Sequence, residues 1–245
     1  MTTSPSTTAR PQLFLARQVA APEGPVDMAM MYVAHHAFRR DLAAFCVAAA
    51  ATPVDDRATW QALLRRWELF STALHHHHSG EDAWLWPALT ERAEPQEREL
   101  LTAMQAEHAQ IDPALQACLD GLQLLATTGD ADARAGLVVR LTAAKEAVHR
   151  HLAHEETDTM ALLQRVLPPA AWAEMDEKFK RSFTPRQLTW AVPWLVTELP
   201  DEVRAGMFAQ PGAAPLKVVQ KLFGRRFDRL QRAAFRHAGP GAVAG

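Results

Sequence analysis

Apolar residues recur every three or four positions through most of the chain, the spacing that gathers them on one side of an α-helix. Met31, Ala34, Phe38, Leu42, Phe45 and Ala49 form one such stripe. It predicts a helix from about Asp27 to Ala51, with Asp27 as N-cap and Thr52-Pro53 as its end. A second helix begins near Asp55 or Asp56 and turns Trp60, Leu63, Trp67, Phe70 and Leu74 toward one face, and Pro87 is expected to kink or end it. A third follows Glu94-Pro95 with Leu101, Met104, His108, Ile111, Leu115 and Leu122 in phase; Pro113 within it predicts a kink just past His108. After Thr128-Gly129-Asp130, a fourth spans roughly Ala131 to Val166 through Leu141, Val148, His151, Glu155, Leu162 and Val166. No segment alternates apolar and polar positions as a strand would. Four long amphipathic segments on short turns predict an all-α protein built on an up-down-up-down four-helix bundle.

The flanks read differently. Residues 1–25, with prominent Thr, Ser and Pro, predict a flexible N-terminal tail, and the bundle occupies 26–167. From Pro168 the pattern breaks into shorter pieces that predict a helical C-terminal extension over 168–237. Its helices run from Ala170 to Arg181, from Thr184-Pro185 to about Glu198, from a start at Leu199-Pro200-Asp201, and from Leu216 to Arg236. Trp190, Pro193 and Trp194 predict that the extension packs on the bundle; 238–245 reads as a frayed tail. The last helix is basic on its polar side.

Polar residues interrupt the apolar stripes at matching places. His77 precedes Glu81 by four positions, and His151 precedes Glu155 by four. Side chains at i and i+4 share a helix face, so each pair can offer an imidazole and a carboxylate to one centre. The stripe through Trp67, Phe70 and Leu74 carries His77 and Glu81 inward, leaving His75 and His78 as supporting or surface groups. The third helix offers His108. On the first helix His35 is in phase with Met31, Phe38 and Leu42 and is preferred to His36. Burying six such groups unpaired costs several kcal/mol, which points to a shared metal. Nitrogen and carboxylate ligands without thiolate suit iron or manganese.

Composition narrows the function classes. The 245 residues are 48% apolar with a net charge of −2, and the basic residues are spread out. Nothing global suggests a nucleic-acid or membrane-surface partner. Cys46 and Cys118 lie in apolar contexts without CxxC spacing, which predicts free thiols in a reducing cytoplasm. No nucleophile elbow or phosphate loop supports hydrolytic work.

The segments AHHAFRRDL, LHHHHSGEDAWLWPAL, MQAEHAQI and HRHLAHEE, within about 27–167, resemble the hemerythrin-like (HHE cation-binding) domain family in its H-HxxxE-H-HxxxE subgroup. The resemblance implies a non-haem centre of two iron ions, oxo- or hydroxo-bridged. Glu81 and Glu155 would bridge, with one iron capped by His35 and His77 and the other by His108 and His151. His36, His78 and Tyr32 are further candidate ligands. Respiratory members carry two histidines four apart on one helix; here Met104 and Asp112 flank His108 at that spacing. The implied function is binding of, or reaction with, a small diatomic or peroxide ligand (O2, H2O2 or NO) in redox or oxidative-stress handling. The alternative is an iron, oxygen or redox sensor whose metal state changes how the extension or a partner docks.

Overall fold

The computed structural model describes residues 9–239. Residues 1–8 of the predicted tail and 240–245 of the predicted frayed end lie outside them. Helix α1 is Ala29–Ala51, α2 is Arg57–Gly80, α3 is Trp86–Thr90, α4 is Pro95–Thr127, α5 is Ala131–His154 and α6 is Met160–Val166. Beyond them come α7 (Pro169–Ser182), α8 (Pro185–Val196), α9 (Asp201–Ala209) and α10 (Ala214–Ala234). Among the described residues no strand forms; Arg10 and Gly24 make an isolated bridge.

Local chemistry starts several helices close to where the sequence predicts, although α1 begins one residue later than expected, with Met28 rather than Asp27 at its N-cap. The Asp27 carboxylate accepts the Ala29 amide at 3.0 Å, and Asp56 accepts the Thr59 amide at 3.2 Å. Glu94 and Glu97 form a capping box ahead of α4, and Asp130 accepts from the amides of Asp132 and Ala133 at the head of α5. Asp56 opens α2 only three residues after Pro53, so α1 and α2 run antiparallel on a short turn. In the bundle α1 packs on α5, α5 on α4 and α4 on α2.

Two helices bulge where the sequence predicts plain α-helix. A π-turn at Glu81–Leu85 separates α2 from α3, and another at Glu155–Thr159 separates α5 from α6. The Trp86 amide bonds to the Glu81 carbonyl and the Met160 amide to the Glu155 carbonyl, five residues back in each case. One extra residue per turn swings the following face by about 100°. The inward stripe after Glu155 therefore runs through Met160, Leu163 and Leu167, and Val166, expected in phase, is only half-buried. Pro87 does not end its helix. Its missing N–H falls just past the π-turn, where the ladder is already re-registered, and the chain stays helical to Thr90. Likewise α4 runs unbroken through Pro113.

Two apolar clusters fill the bundle. The larger includes Phe38, Phe45, Trp67, Phe70, Leu122 and Leu141; the smaller includes Met31, Tyr32, Trp86, Met104, Met160 and Leu163. On each of the four long helices the candidate ligands lie between residues of the first cluster and residues of the second. The site is a polar layer between two dry ones.

Both flanks are more deeply engaged than their composition predicts. Residues 9–25 lie along the bundle: Leu15 is buried, and the Gln164 side chain bonds both the amide and the carbonyl of Val26. The extension supplies part of the larger core. Trp194 of α8 packs at 5.3 Å from Phe38, and Phe235, just past α10, at 5.2 Å from Phe45. Beneath them Asp41 accepts from Arg40, Arg66 and the Trp194 indole, all buried.

Candidate metal centre

Each helix delivers its polar residue to the same layer. His35, His77, Glu81 and Glu155 offer ligand atoms that all lie within 4.8 Å of one another, and His78, His108 and His151 form a second group by the same measure. None of the seven is more than 5% exposed. The two carboxylates join the groups. Glu81 lies 3.1 Å from His77 Nε2 through one oxygen and 3.6 Å from His108 Nε2 through the other. Glu155 Oε2 lies 3.3 Å from His35 Nε2 and 3.9 Å from His151 Nε2.

Three outer carboxylates set the imidazole orientations. Glu156 accepts from His35 Nδ1 at 2.9 Å, Asp82 from His108 Nδ1 at 3.0 Å, and Glu107 from His151 Nδ1 at 2.8 Å. A proton on Nδ1 leaves the Nε2 lone pair facing inward, the tautomer a metal ligand needs. Glu156 is itself fixed by two bonds from Arg39 and one from the Val19 amide. The N-terminal segment thus holds the carboxylate that holds His35.

That arrangement leaves acceptors facing acceptors. His108 Nε2 and His151 Nε2 are 3.2 Å apart, and with both Nδ1 atoms donating outward neither has a proton to share. His35 Nε2, His77 Nε2, both nitrogens of His78 and all four oxygens of Glu81 and Glu155 are buried without a hydrogen-bond partner. Each such atom costs roughly 1–3 kcal/mol if left unmet. Cations between the two groups would meet the inward imidazole lone pairs, one on each ring, and the carboxylate oxygens, so the residues present fit a metal centre.

The electrostatics agree for three of the imidazoles; at His35 burial is outweighed by Glu155 and Glu156, which raise its pKa. Burial, reinforced by neighbouring imidazoles, holds His77 and His78 well below the usual histidine range, and burial with His151 lowers His108. Neutral imidazole is the ligating form. Burial and the adjacent Glu155 push Glu81 well above the ordinary carboxylate range. For Glu155 burial acts in the same direction, but His35 and the other imidazoles outweigh it and hold the group low.

All six leading candidates, His35, His77, Glu81, His108, His151 and Glu155, come together here. His78 joins them: it stacks on His108 at 3.9 Å and sits edge-on to His151 at 5.1 Å. A single inward line cannot hold both His77 and His78, which point about 100° apart; the layer is wide enough to use both directions. His36 is not in either group and is only half-buried. Tyr32 is buried beside Glu155 and Glu156, its hydroxyl without a partner; burial and those two charges raise its pKa. Arg39 and Glu107 do not stand out in the sequence, because neither lies on an apolar stripe. Their one signal is position: Arg39 lies one helical turn after His35, and Glu107 directly precedes His108.

A groove of about 310 Å3 between α4 and α5, lined by Ala103, Ala106, Glu107, Ala147 and His151, approaches the layer from outside. The small side chains there leave room for a molecule of a few atoms. No helix among the described residues is long and apolar enough to cross a membrane.

No curated protein and no solved structure matches the chain significantly. The family model for the hemerythrin HHE cation binding domain matches residues 27–163, which contain every residue of both ligand groups. The match covers more than half of the chain, and the protein belongs to that cation-binding family.

Proposed function

We propose that the chain is a non-haem di-iron protein that binds or reacts with a small oxidant, O2, H2O2 or NO, in redox or oxidative-stress handling. His35 and His77 would hold one ion, His78, His108 and His151 the other, with Glu81 and Glu155 reaching both. The carrying observation is the two adjoining groups of buried, partnerless ligand atoms. Three histidines against two leaves the ions inequivalent. Nitrogen and oxygen donors without thiolate suit iron. Iron there supplies a one-electron redox couple and Lewis acidity.

The chain's own residues do the rest. Tyr32, Trp86, Met104 and Met160 form a dry wall on one side of the layer and Phe38 and Phe70 on the other, so water is kept out from those two sides. Glu156, Asp82 and Glu107 hold the outer imidazole protons in place. The test is metal analysis with a visible spectrum after expression in iron-replete medium, followed by added peroxide. Two iron equivalents and a spectrum that peroxide changes are expected; an intact fold that takes up no iron overturns the reading. Glu81→Ala should lose most of the metal.

A second reading, a redox or iron sensor, is favoured by one contact. Phe38 packs at 5.2 Å from the His77 ring and at 5.3 Å from Trp194 of the extension. A change at His77 has one side chain to cross before it reaches α8. Iron loading or peroxide should then alter protease cleavage between 168 and 236; an unchanged digest removes the sensor reading.

A further inference from the structure

Charge is segregated in a way the net value conceals. Residues 214–239 contain seven Lys or Arg and a single acid, Asp228, giving +6; the rest of the chain has 19 basic and 27 acidic residues, giving −8. Helix α10 seats Gly224, Phe227 and Ala234 toward α2 and α8, with Phe235 just beyond it. The opposite face therefore points outward. Lys217, Lys221, Arg225, Arg226, Arg229 and Arg232 are all exposed there, and among the described residues none is in an ion pair. The same face exposes two aliphatic side chains one turn apart, Val218 at 56% and Leu222 at 66%.

We infer that the outer face of α10 is a docking surface for an anionic lipid bilayer. Clustered cations on an amphipathic helix are drawn to acidic headgroups, and interleaved aliphatic residues gain by entering the headgroup–acyl boundary. Nucleic acid fits less well. Phosphate contacts have no use for Val218 and Leu222, no aromatic is exposed on α10 to stack a base, and Gln231 is committed to Arg66 at 2.8 Å. Because α10 is fixed to the bundle by its inner face, docking would hold the whole domain against the surface in one orientation. The inference does not depend on which metal or oxidant the bundle uses.

The test is co-sedimentation of the full-length chain with phosphatidylcholine vesicles, with and without phosphatidylglycerol, over a salt series. Binding to the anionic vesicles alone, weakening as salt rises, is expected. Neutralising one cation should lower partitioning roughly fivefold, so that Lys221→Gln, Arg225→Gln and Arg229→Gln together lower it about a hundredfold. Leu222→Ser should weaken it with the salt dependence unchanged. All these positions are solvent-facing, and helix content by circular dichroism checks that the variants fold. Equal binding to neutral vesicles, no binding to either, or retention only by duplex or single-stranded DNA at the same salt overturns the inference.

Discussion

The indole N–H of Trp194 donates to the Asp41 carboxylate at 2.8 Å, in a pocket where both side chains are shielded from water. The same carboxylate takes Arg66 at 2.6 Å through one oxygen and Arg40 at 2.8 Å through the other. Burial alone would raise the Asp41 pKa; Arg66 and Arg40 outweigh it and hold it below the ordinary range. Extension and bundle therefore share one buried negative charge. Asp41→Asn strands two guanidinium groups in a dry interface and is expected to destabilise the fold by about 3–5 kcal/mol. Urea unfolding at neutral pH measures it, and an unchanged midpoint would show that the network is dispensable.

His78 and His36 are adjacent-histidine neighbours of predicted ligands, but only His78 lies in the layer. His78→Ala should lower metal content by one equivalent, whereas His36→Ala should retain both. Elemental analysis of the purified variants separates the two outcomes. Equal loss in both would remove His78 from the ligand set.

The outer carboxylates should matter nearly as much as the ligands. Glu156→Gln keeps the shape but removes the charge that balances Arg39 and orients His35. Metal affinity should fall about 10–100-fold, measured by chelator competition. Asp82→Asn and Glu107→Gln are expected to act in the same direction.

Asp56 offers a pH signature distant from the metal. Its bond from His237, then that from Thr59, holds its carboxyl well below the ordinary range. A depressed folded-state pKa means that the unfolded chain takes up the proton more readily. The stabilisation is complete above about pH 4, the unfolded carboxylate range, and is lost as pH falls below it. Asp56→Asn, which keeps an N-capping side chain, should lower the urea midpoint at pH 7 and converge with wild type in acid. A constant difference at all pH values would contradict the pairing.

Burial, with Cys46 nearby, pushes the Cys118 thiol up to about 12. At neutral pH almost none is thiolate, so Cys118 should resist iodoacetamide in the folded protein and react once urea is added. Mass mapping of the labelled peptides reads this directly; rapid native labelling of Cys118 would be the contrary result.

Much of the fold was legible because caps and apolar phase are local signals. Asp56 and Asp130 mark helix starts in the sequence as they do in the structure, and Asp27 misses by one residue, with Met28 at the cap. The six in-phase polar residues could be read for the same reason. What escaped depends on contacts remote in sequence. Residues 9–25 look loose by composition, but Glu156 meets the amide of Val19 from 137 positions away. Trp194 suggested that the extension packs on the bundle, but nothing local indicated that Phe235 would reach Phe45. His78 ranked only as a further candidate because inward phase was read as a line, whereas two ligand groups side by side make the layer broader than one line.

The two π-turns begin on the two glutamates that reach both ligand groups, Glu81 and Glu155. In terms of insertion and deletion, each is one residue more than a straight helix would use, and the turn itself absorbs that residue. Removing Ala83 or Thr157 would change no ligand, and it would turn each five-residue bond into an ordinary four-residue one with Trp86 and Leu89, or Met160 and Leu163, still on the wall they form. The same deletion a turn earlier, within plain α-helix, would instead swing everything beyond it by about 100°, so these two turns are where the helices can lose a residue and keep their facing.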